Sequence, residues 1–165
     1  MNIIYAREPL TQDTVTAPSI FLAGPSPRDK DTPTWRAEAV LYLSLAGFTG
    51  CVFVPEDRGG FHKDFDYDDQ VEWEWEALGQ ADIILFWVPR DLVKLPAFTT
   101  NIEFGLVCGH YGVEICNGKR IVVYGAPPDA PKNKYLDKVA YKLGIGKRFT
   151  LESTIDKALE DYNHV

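Results

Sequence analysis

The chain has 165 residues, 45% of them hydrophobic and 25% charged, with 9 Phe, 4 Trp and 8 Tyr, enough for one well-cored domain over residues 1–165 and too little for two. Seventeen Lys and Arg against 24 Asp and Glu leave a net charge of −7, which argues against nucleic-acid polymers held by bulk charge and suits a small or neutral ligand. No apolar run approaches the ~20 residues that cross a bilayer, and the N-terminal residues lack a signal-peptide core; the expected location is the cytoplasm, with no membrane partner.

In chain order, Met1 to Tyr5 is a candidate edge strand and Ser19 to Ala23 a buried strand running into the turn Gly24-Pro-Ser-Pro-Arg28. Pro33 to Ala46 reads as a helix ended by Gly47, followed by a strand at Cys51 to Val54. Gln70 to Ala81 reads as a second helix, Asp82 to Trp87 as a strand, and Asn101 to about Cys116 as a third helix. A strand at Arg120 to Tyr124, a helix at Lys134 to Leu143, a weak strand at Arg148 to Thr150 and a helix at Leu151 to Tyr162 complete the set. Short β-branched runs alternating with amphipathic stretches predict an α/β fold with a parallel sheet covered on both faces. In such sheets the ligand sits outside the carboxyl ends of the strands, here the loops starting at Gly24, Pro55, Val88 and Gly125.

Cys51, Cys108 and Cys116 are odd in number, form no CxxC pair and lie in or beside apolar segments, so all three are expected as buried free thiols. His62, His110 and His164 show no metal-ligand spacing, which leaves acid–base chemistry to carboxylates. A zinc site is therefore not expected.

Asp69, three residues before Glu72, has capping-box spacing and places the start of the second helix. Val71, Trp75 and Leu78 then form its sheet-facing stripe, on which Glu74 also falls, with Glu72, Glu76 and Gln80 opposite. A carboxylate on the core side must be paired, neutralised or border a cavity; the plain alternative puts Glu74 at the rim, reaching water or an arginine. Thr100-Asn-Ile-Glu103 also fits a capping box, so Glu103 reads either as a cap or as a carboxylate held anionic at a helix start by the ligand-binding edge. Gly105 would allow close backbone approach beside it. The Gly24–Arg28 turn reads as a phosphate or sugar-hydroxyl site using Ser26 and Arg28, or as an ordinary joint. Asp64 to Glu76 interleaves seven acidic with four aromatic residues, but a calcium loop would need a glycine where Asp69 stands. Tyr67, Trp73 and Trp75 are expected as core or lid aromatics.

Phe21-Leu-Ala-Gly-Pro25, Trp73-Glu-Trp-Glu76 with Asp82 eight residues after Glu74, and Asn101-Ile-Glu-Phe-Gly105 together resemble the nucleoside 2-deoxyribosyltransferase family, in its divergent deoxyribosyltransferase-like branch, from about Ser19 to Tyr124. The resemblance implies a flavodoxin-like three-layer sandwich with a mainly parallel five-stranded sheet, no cofactor, and cleavage of the N-glycosidic bond of a 2′-deoxynucleoside or nucleotide. The sugar would pass to another base or to water. Glu103 matches the family's nucleophile and Glu74 the acidic residue that contacts the base, where many members have Asp. Better-known members carry an Asp six residues before the nucleophile; this chain has Ala97, which makes Asn101 the nearest polar candidate for the sugar. Gly24, Ser26, Arg28, Asn101 and Asp82 are the expected substrate-binding set, and Glu103 and Glu74 are expected to be tuned in opposite directions, the first anionic and the second protonated. The resemblance also implies homo-oligomers. Three functions follow: transferase, hydrolase acting on nucleosides or 5′-monophosphates, and a non-catalytic nucleotide-binding module.

Overall fold

A computed structural model describes residues 1–12, 15, 18–59 and 67–164. The elements are β1 (Asn2–Tyr5), β2 (Ser19–Ala23), α1 (Trp35–Leu45), β3 (Cys51–Val54), α2 (Tyr67–Gln80), β4 (Ile83–Trp87), α3 (Phe98–His110), α4 (Gly112–Cys116), β5 (Ile121–Gly125), α5 (Lys134–Lys142), β6 (Lys147–Arg148) and α6 (Leu151–Asn163). The strands form one sheet in the order β1-β3-β2-β4-β5-β6, and every pairing is parallel. The sheet therefore has six strands where five were expected: the N-terminal residues pair along β3 as a full edge strand. Without β1 the order is the doubly wound, flavodoxin-like one, whose direction reverses between β2 and β4.

Buried strand residues alternate between two cores, as a period-two backbone requires. Phe21, Phe53, Phe86 and Tyr124 meet α2, α3 and α5 on one face; Ile20, Leu22, Val54 and Leu85 meet α1 and α6 on the other. Three layers result. All of β2 and β4 is buried, which is why these strands read as continuous apolar runs.

Two helices begin earlier than their spacing predicts. α2 starts at Tyr67, so Asp69 lies inside its first turn and the Asp69–Glu72 capping box is not formed. Its buried stripe is Trp73, Ala77 and Leu78, whereas Trp75 is 62% exposed. The expected stripe was misplaced on Val71 and Trp75, because Trp73 is the aromatic that packs between Phe21 and Phe53 and donates its indole N–H to the Glu8 carbonyl at 2.8 Å. Tyr67 is exposed as well. The third predicted helix divides into α3 and α4 at Tyr111.

Cys51 and Cys108 are buried as expected, but Cys116, at the end of the short α4, is exposed. His62 and the Asp64 and Asp66 of the acidic stretch lie outside the described residues. Among the described residues no helix is long and apolar enough to cross a membrane.

Candidate active site at the carboxyl edge

Gly24 ends β2 at the switch point. A Cβ there would collide with the Trp87 carbonyl of β4 and the Trp35 ring of α1. Only glycine lets these three elements meet, and the turn that follows is fixed by the same packing.

Arg36 occupies this turn. It stands in α1's buried stripe with Ala39 and Leu43 and is 1% exposed. Its Nε donates to the Leu22 carbonyl at 2.9 Å and its Nη2 to the Gly24 carbonyl at 2.6 Å. Nη1 donates to the Pro25 carbonyl at 3.4 Å, to Ser26 Oγ at 3.1 Å and to Glu56 Oε1 at 2.5 Å. Thr34, the N-cap of α1, donates its hydroxyl to the same Glu56 oxygen at 2.7 Å. Breaking such a buried ion pair from one side costs about 3–5 kcal/mol. Ser26 is exposed and accepts from Arg36, so its own O–H is directed away from the guanidinium.

Glu74 lies on the buried side of α2, as its place on the helix predicted, and Gln70, one turn earlier, donates to its Oε1 at 2.8 Å. Burial raises its pKa, against the Gln70 hydrogen bond and the positive charge of Arg36.

Glu103 differs from its expected setting. α3 begins at Phe98 with Ala97 as N-cap in the left-handed conformation (φ 59°) and no side-chain capping bond. Thr100 is inside the first turn, fully buried, its hydroxyl unpartnered, so the Thr100–Glu103 capping box does not exist and Glu103 sits in the second turn. The capping explanation of Glu103 is thereby removed, and so is the anion-stabilising helix start. No hydrogen bond or ion pair joins Glu103 to another described residue. Its pKa is pushed up to about 7, first by burial and then by the charge of Glu74, with Arg36 opposing. The expected opposite tuning is not found: both carboxyls are raised, and Glu103 is raised far.

Arg90, just beyond β4, is the second buried arginine at this edge. It donates to Asn133 Oδ1 at 2.9 Å, to the Pro96 carbonyl at 3.1 Å and to Asn101 Oδ1 at 2.5 Å. Asn133 in turn donates to the Val88 carbonyl at 3.2 Å. This knot ties the start of α3 to the end of β4. With its carbonyl oxygen held by Arg90, Asn101 offers a ligand its amide N–H donors.

Among the expected substrate-binding residues, the fold brings Gly24, Ser26 and Asn101 to the carboxyl edge with Glu74 and Glu103. Arg28 lies on the same loop but outside this network; its side chain is exposed and its backbone N–H donates to the Lys94 carbonyl at 3.1 Å. Asp82 is a correction. It precedes β4 at the amino end of the sheet, and its Oδ2 accepts both the backbone N–H and the hydroxyl of Ser19 at 2.8 Å. It ties β2 to β4 far from the carboxyl edge. Gly105 likewise meets nothing where a Cβ would stand, so no close approach within the chain requires it.

Arg36, Glu56, Arg90 and Asn133 were not singled out from sequence. Arg36 alone carried a signal: with Ala39 and Leu43 it recurs at i, i+3, i+7, a charge on an apolar stripe, as Glu74 is. The other three lie in loops, where periodicity is silent.

A cavity of about 320 Å³ lies at the opposite edge of β5, lined by Arg120, Ile121, Leu143, Lys157 and others, and none of the candidate carboxylates reaches it. Among the described residues no cluster of three or more His, Cys, Asp or Glu could hold a metal ion.

Comparison with known proteins adds one finding at the level of family. No curated protein matches the chain significantly. A family described as nucleoside 2-deoxyribosyltransferase-like matches residues 17–120, a stretch that contains Gly24, Arg36, Glu56, Glu74, Arg90 and Glu103. That match covers more than half of the sequence, and the chain belongs to the nucleoside 2-deoxyribosyltransferase-like family.

Proposed function

We propose that the protein cleaves the N-glycosidic bond of a 2′-deoxynucleoside or its 5′-monophosphate, with Glu103 as nucleophile and Glu74 as acid and base, and passes the sugar to a second base. The observation that carries this reading is a pair of charge-coupled carboxyls, from α2 and α3, at the carboxyl edge beside the sheet's switch point. One of them has no partner among the described residues. A carboxyl left without partners in a partly buried position destabilises the fold, and catalysis is a reason to keep it there.

In the first half-reaction Glu103 attacks the anomeric carbon, the C–N bond breaks with its electron pair on the base nitrogen, and Glu74 delivers its proton to the base. In the second, Glu74 takes a proton from the incoming base, whose nitrogen attacks the same carbon and releases the Glu103 carboxylate. Water in place of the base gives the hydrolase. On this reading Ser26 and the Asn101 amide supply donors for sugar or phosphate oxygens, Gly24 fixes the turn that presents Ser26, and Arg28 suits a 5′-phosphate.

The raised pKa of Glu103 supports a second assignment, with roles exchanged: the carboxyl that holds its proton to about pH 7 is the better acid in the unliganded protein. Incubation with a 2-fluoro-2-deoxynucleoside followed by peptide mapping tests both. An adduct on Glu103 supports the first assignment and one on Glu74 the second; turnover without any adduct overturns covalent catalysis in favour of direct attack by water. Chromatography of nucleosides and 5′-monophosphates, with and without a second free base, separates transferase from hydrolase. Tight binding with no base release would make the protein a nucleotide-binding module.

Association of copies belongs to the same proposal. Phe98, Ile102 and Leu106 form an exposed apolar row on α3, the helix that carries Glu103, and a second copy covering it would also shelter the site. Light scattering after gel filtration reports the oligomeric state, and a monomer at micromolar concentration rejects this part. Location in the cytoplasm accords with the reading and is tested by fractionation.

A further inference from the structure

Arg90 is a buried cation without a counter-ion. It is 6% exposed, and its hydrogen bonds go to the neutral oxygens of Asn133, Pro96 and Asn101. No carboxylate among the described residues pairs with it. Asp91, its neighbour in sequence, is exposed and accepts instead from the backbone N–H groups of Val93 and Lys94, each at 2.8 Å. Tyr124 donates its hydroxyl to Asp137 at 2.8 Å, and the charge of Asp137 is matched by Lys147. A guanidinium taken out of water with no opposite charge is costly to the fold.

The surroundings of Arg90 are electropositive as well. Nη1 donates to the Pro96 carbonyl and Nη2 to Asn101 Oδ1, so the guanidinium straddles Ala97, the N-cap of α3. A guanidinium has five N–H donors; the bonds above use one hydrogen on each Nη and leave the other without an acceptor among the described residues. α3 starts with no capping side chain and no acidic residue in its first turn, and the N–H groups of Phe98, Thr99 and Thr100 find no acceptor there either. The positive end of a helix and a buried cation thus meet with no negative charge between them. Asn101 adds to the set: arginine accepts nothing, so the amide oxygen faces Arg90 and the NH2 group is left for a ligand.

We propose that Arg90, the Asn101 amide and the uncapped start of α3 form an anion site that takes the 5′-phosphate of a nucleotide, whose charge is the missing counter-ion. The identity of the phosphate's carrier rests on the glycosidic reading above; the anion site does not. Glu103 lies one turn further along the same helix, about 7.5 Å of rise from Phe98, so phosphate and reacting carbon would be held from consecutive turns. A nucleoside, which brings no charge, would leave Arg90 unpaired and bind less well.

The test is calorimetric titration and thermal unfolding with inorganic phosphate, against chloride at equal ionic strength. Wild type binds phosphate and unfolds at a higher temperature in its presence. Asn101→Asp keeps an oxygen on Arg90 and supplies the counter-ion from within; without phosphate it is at least as stable as wild type, and it loses about tenfold or more in phosphate affinity. Arg90→Gln loses that affinity too, and where one variant fails to fold the other decides. A wild type indifferent to phosphate overturns the proposal, as does unchanged affinity in a folded variant, which would put the anion elsewhere, such as on the exposed Arg28. Competition identifies the carrier: inorganic phosphate raises KM for a 2′-deoxynucleoside 5′-monophosphate without lowering kcat, and Asn101→Asp removes the preference for the monophosphate over the nucleoside. Phosphate that binds without competing overturns the nucleotide assignment. Phosphate binding with no base release from any nucleotide rejects the glycosidic reading and leaves the anion site standing. Base release from nucleosides and monophosphates alike, with no phosphate binding, does the reverse.

Discussion

The two edges of the sheet use carboxylates in opposite ways. At the amino edge Asp82 accepts two hydrogen bonds from Ser19 and returns one through its own N–H, at 3.0 Å, so the group is satisfied locally and staples β2 to β4. At the carboxyl edge Glu103 has no partner among the described residues, is desolvated, and faces the charge of Glu74. Asp82 and Glu103 were both candidates by position in a motif. What separates them is whether the fold provides the hydrogen bonds that an ionised carboxyl needs: where it does, the residue is structural, and where it withholds them, the pKa moves into the range useful for proton transfer and nucleophilic attack.

Exchanging charge for a neutral isostere at each edge sharpens that contrast. The largest effect is expected from Glu103→Gln, a loss of nucleobase release of about 1,000-fold or more on the proposed mechanism. Chromatography of the released base reports it, and unchanged release removes Glu103 from the chemistry. Glu74→Gln follows, with a loss of about 100- to 10,000-fold if it moves the proton. Because the charge of Glu74 raises Glu103, the same change should lower the Glu103 midpoint; a midpoint that stays near 7 would mean the pair is not coupled.

Next comes stability. The folded-state pKa of Glu103 is raised from 4.5 to about 7, so the folded protein binds this proton more tightly than the unfolded chain. Its contribution is full below pH 4.5 and is lost as pH rises through about 7. Glu103→Gln removes that loss and should stabilise the protein by about 1–3 kcal/mol at pH 8. In urea unfolding the two curves converge at pH 4; a variant less stable than wild type at pH 8 contradicts the buried, unpaired setting. The smallest effect belongs to the other edge. Asp82→Asn should cost about 1 kcal/mol of stability and leave nucleobase release within about twofold, since it lies at the wrong end of the strands. A large kinetic effect from Asp82 would break the comparison.

Legibility followed the physics of each element. β2 and β3 were readable to the residue because buried parallel strands are short apolar runs bounded by turn residues. Helix starts were less so. Asp69 and Thr100 each precede a glutamate at capping distance, but tertiary packing extended both helices upstream, and Ala97, with no capping side chain, became the N-cap of α3. Glu74 was found because a carboxylate on an apolar stripe breaks a pattern, although the stripe was drawn through Trp75 when Trp73 is the buried ring.

The sequence by itself determined the layered parallel sheet, the edge to which the site is assigned and the two carboxylates worth testing, because alternation, helical period and motif order are properties of the chain. Only the tertiary structure decided which charges share that edge. Glu103 has no local partner, Arg36 reaches back to β2, Glu56 arrives from β3, and Asp82 is spent on Ser19 at the opposite end. Burial and Coulomb interaction depend on distances between residues far apart in sequence, so the ionisation of the pair is fixed by folding and is written in no single motif.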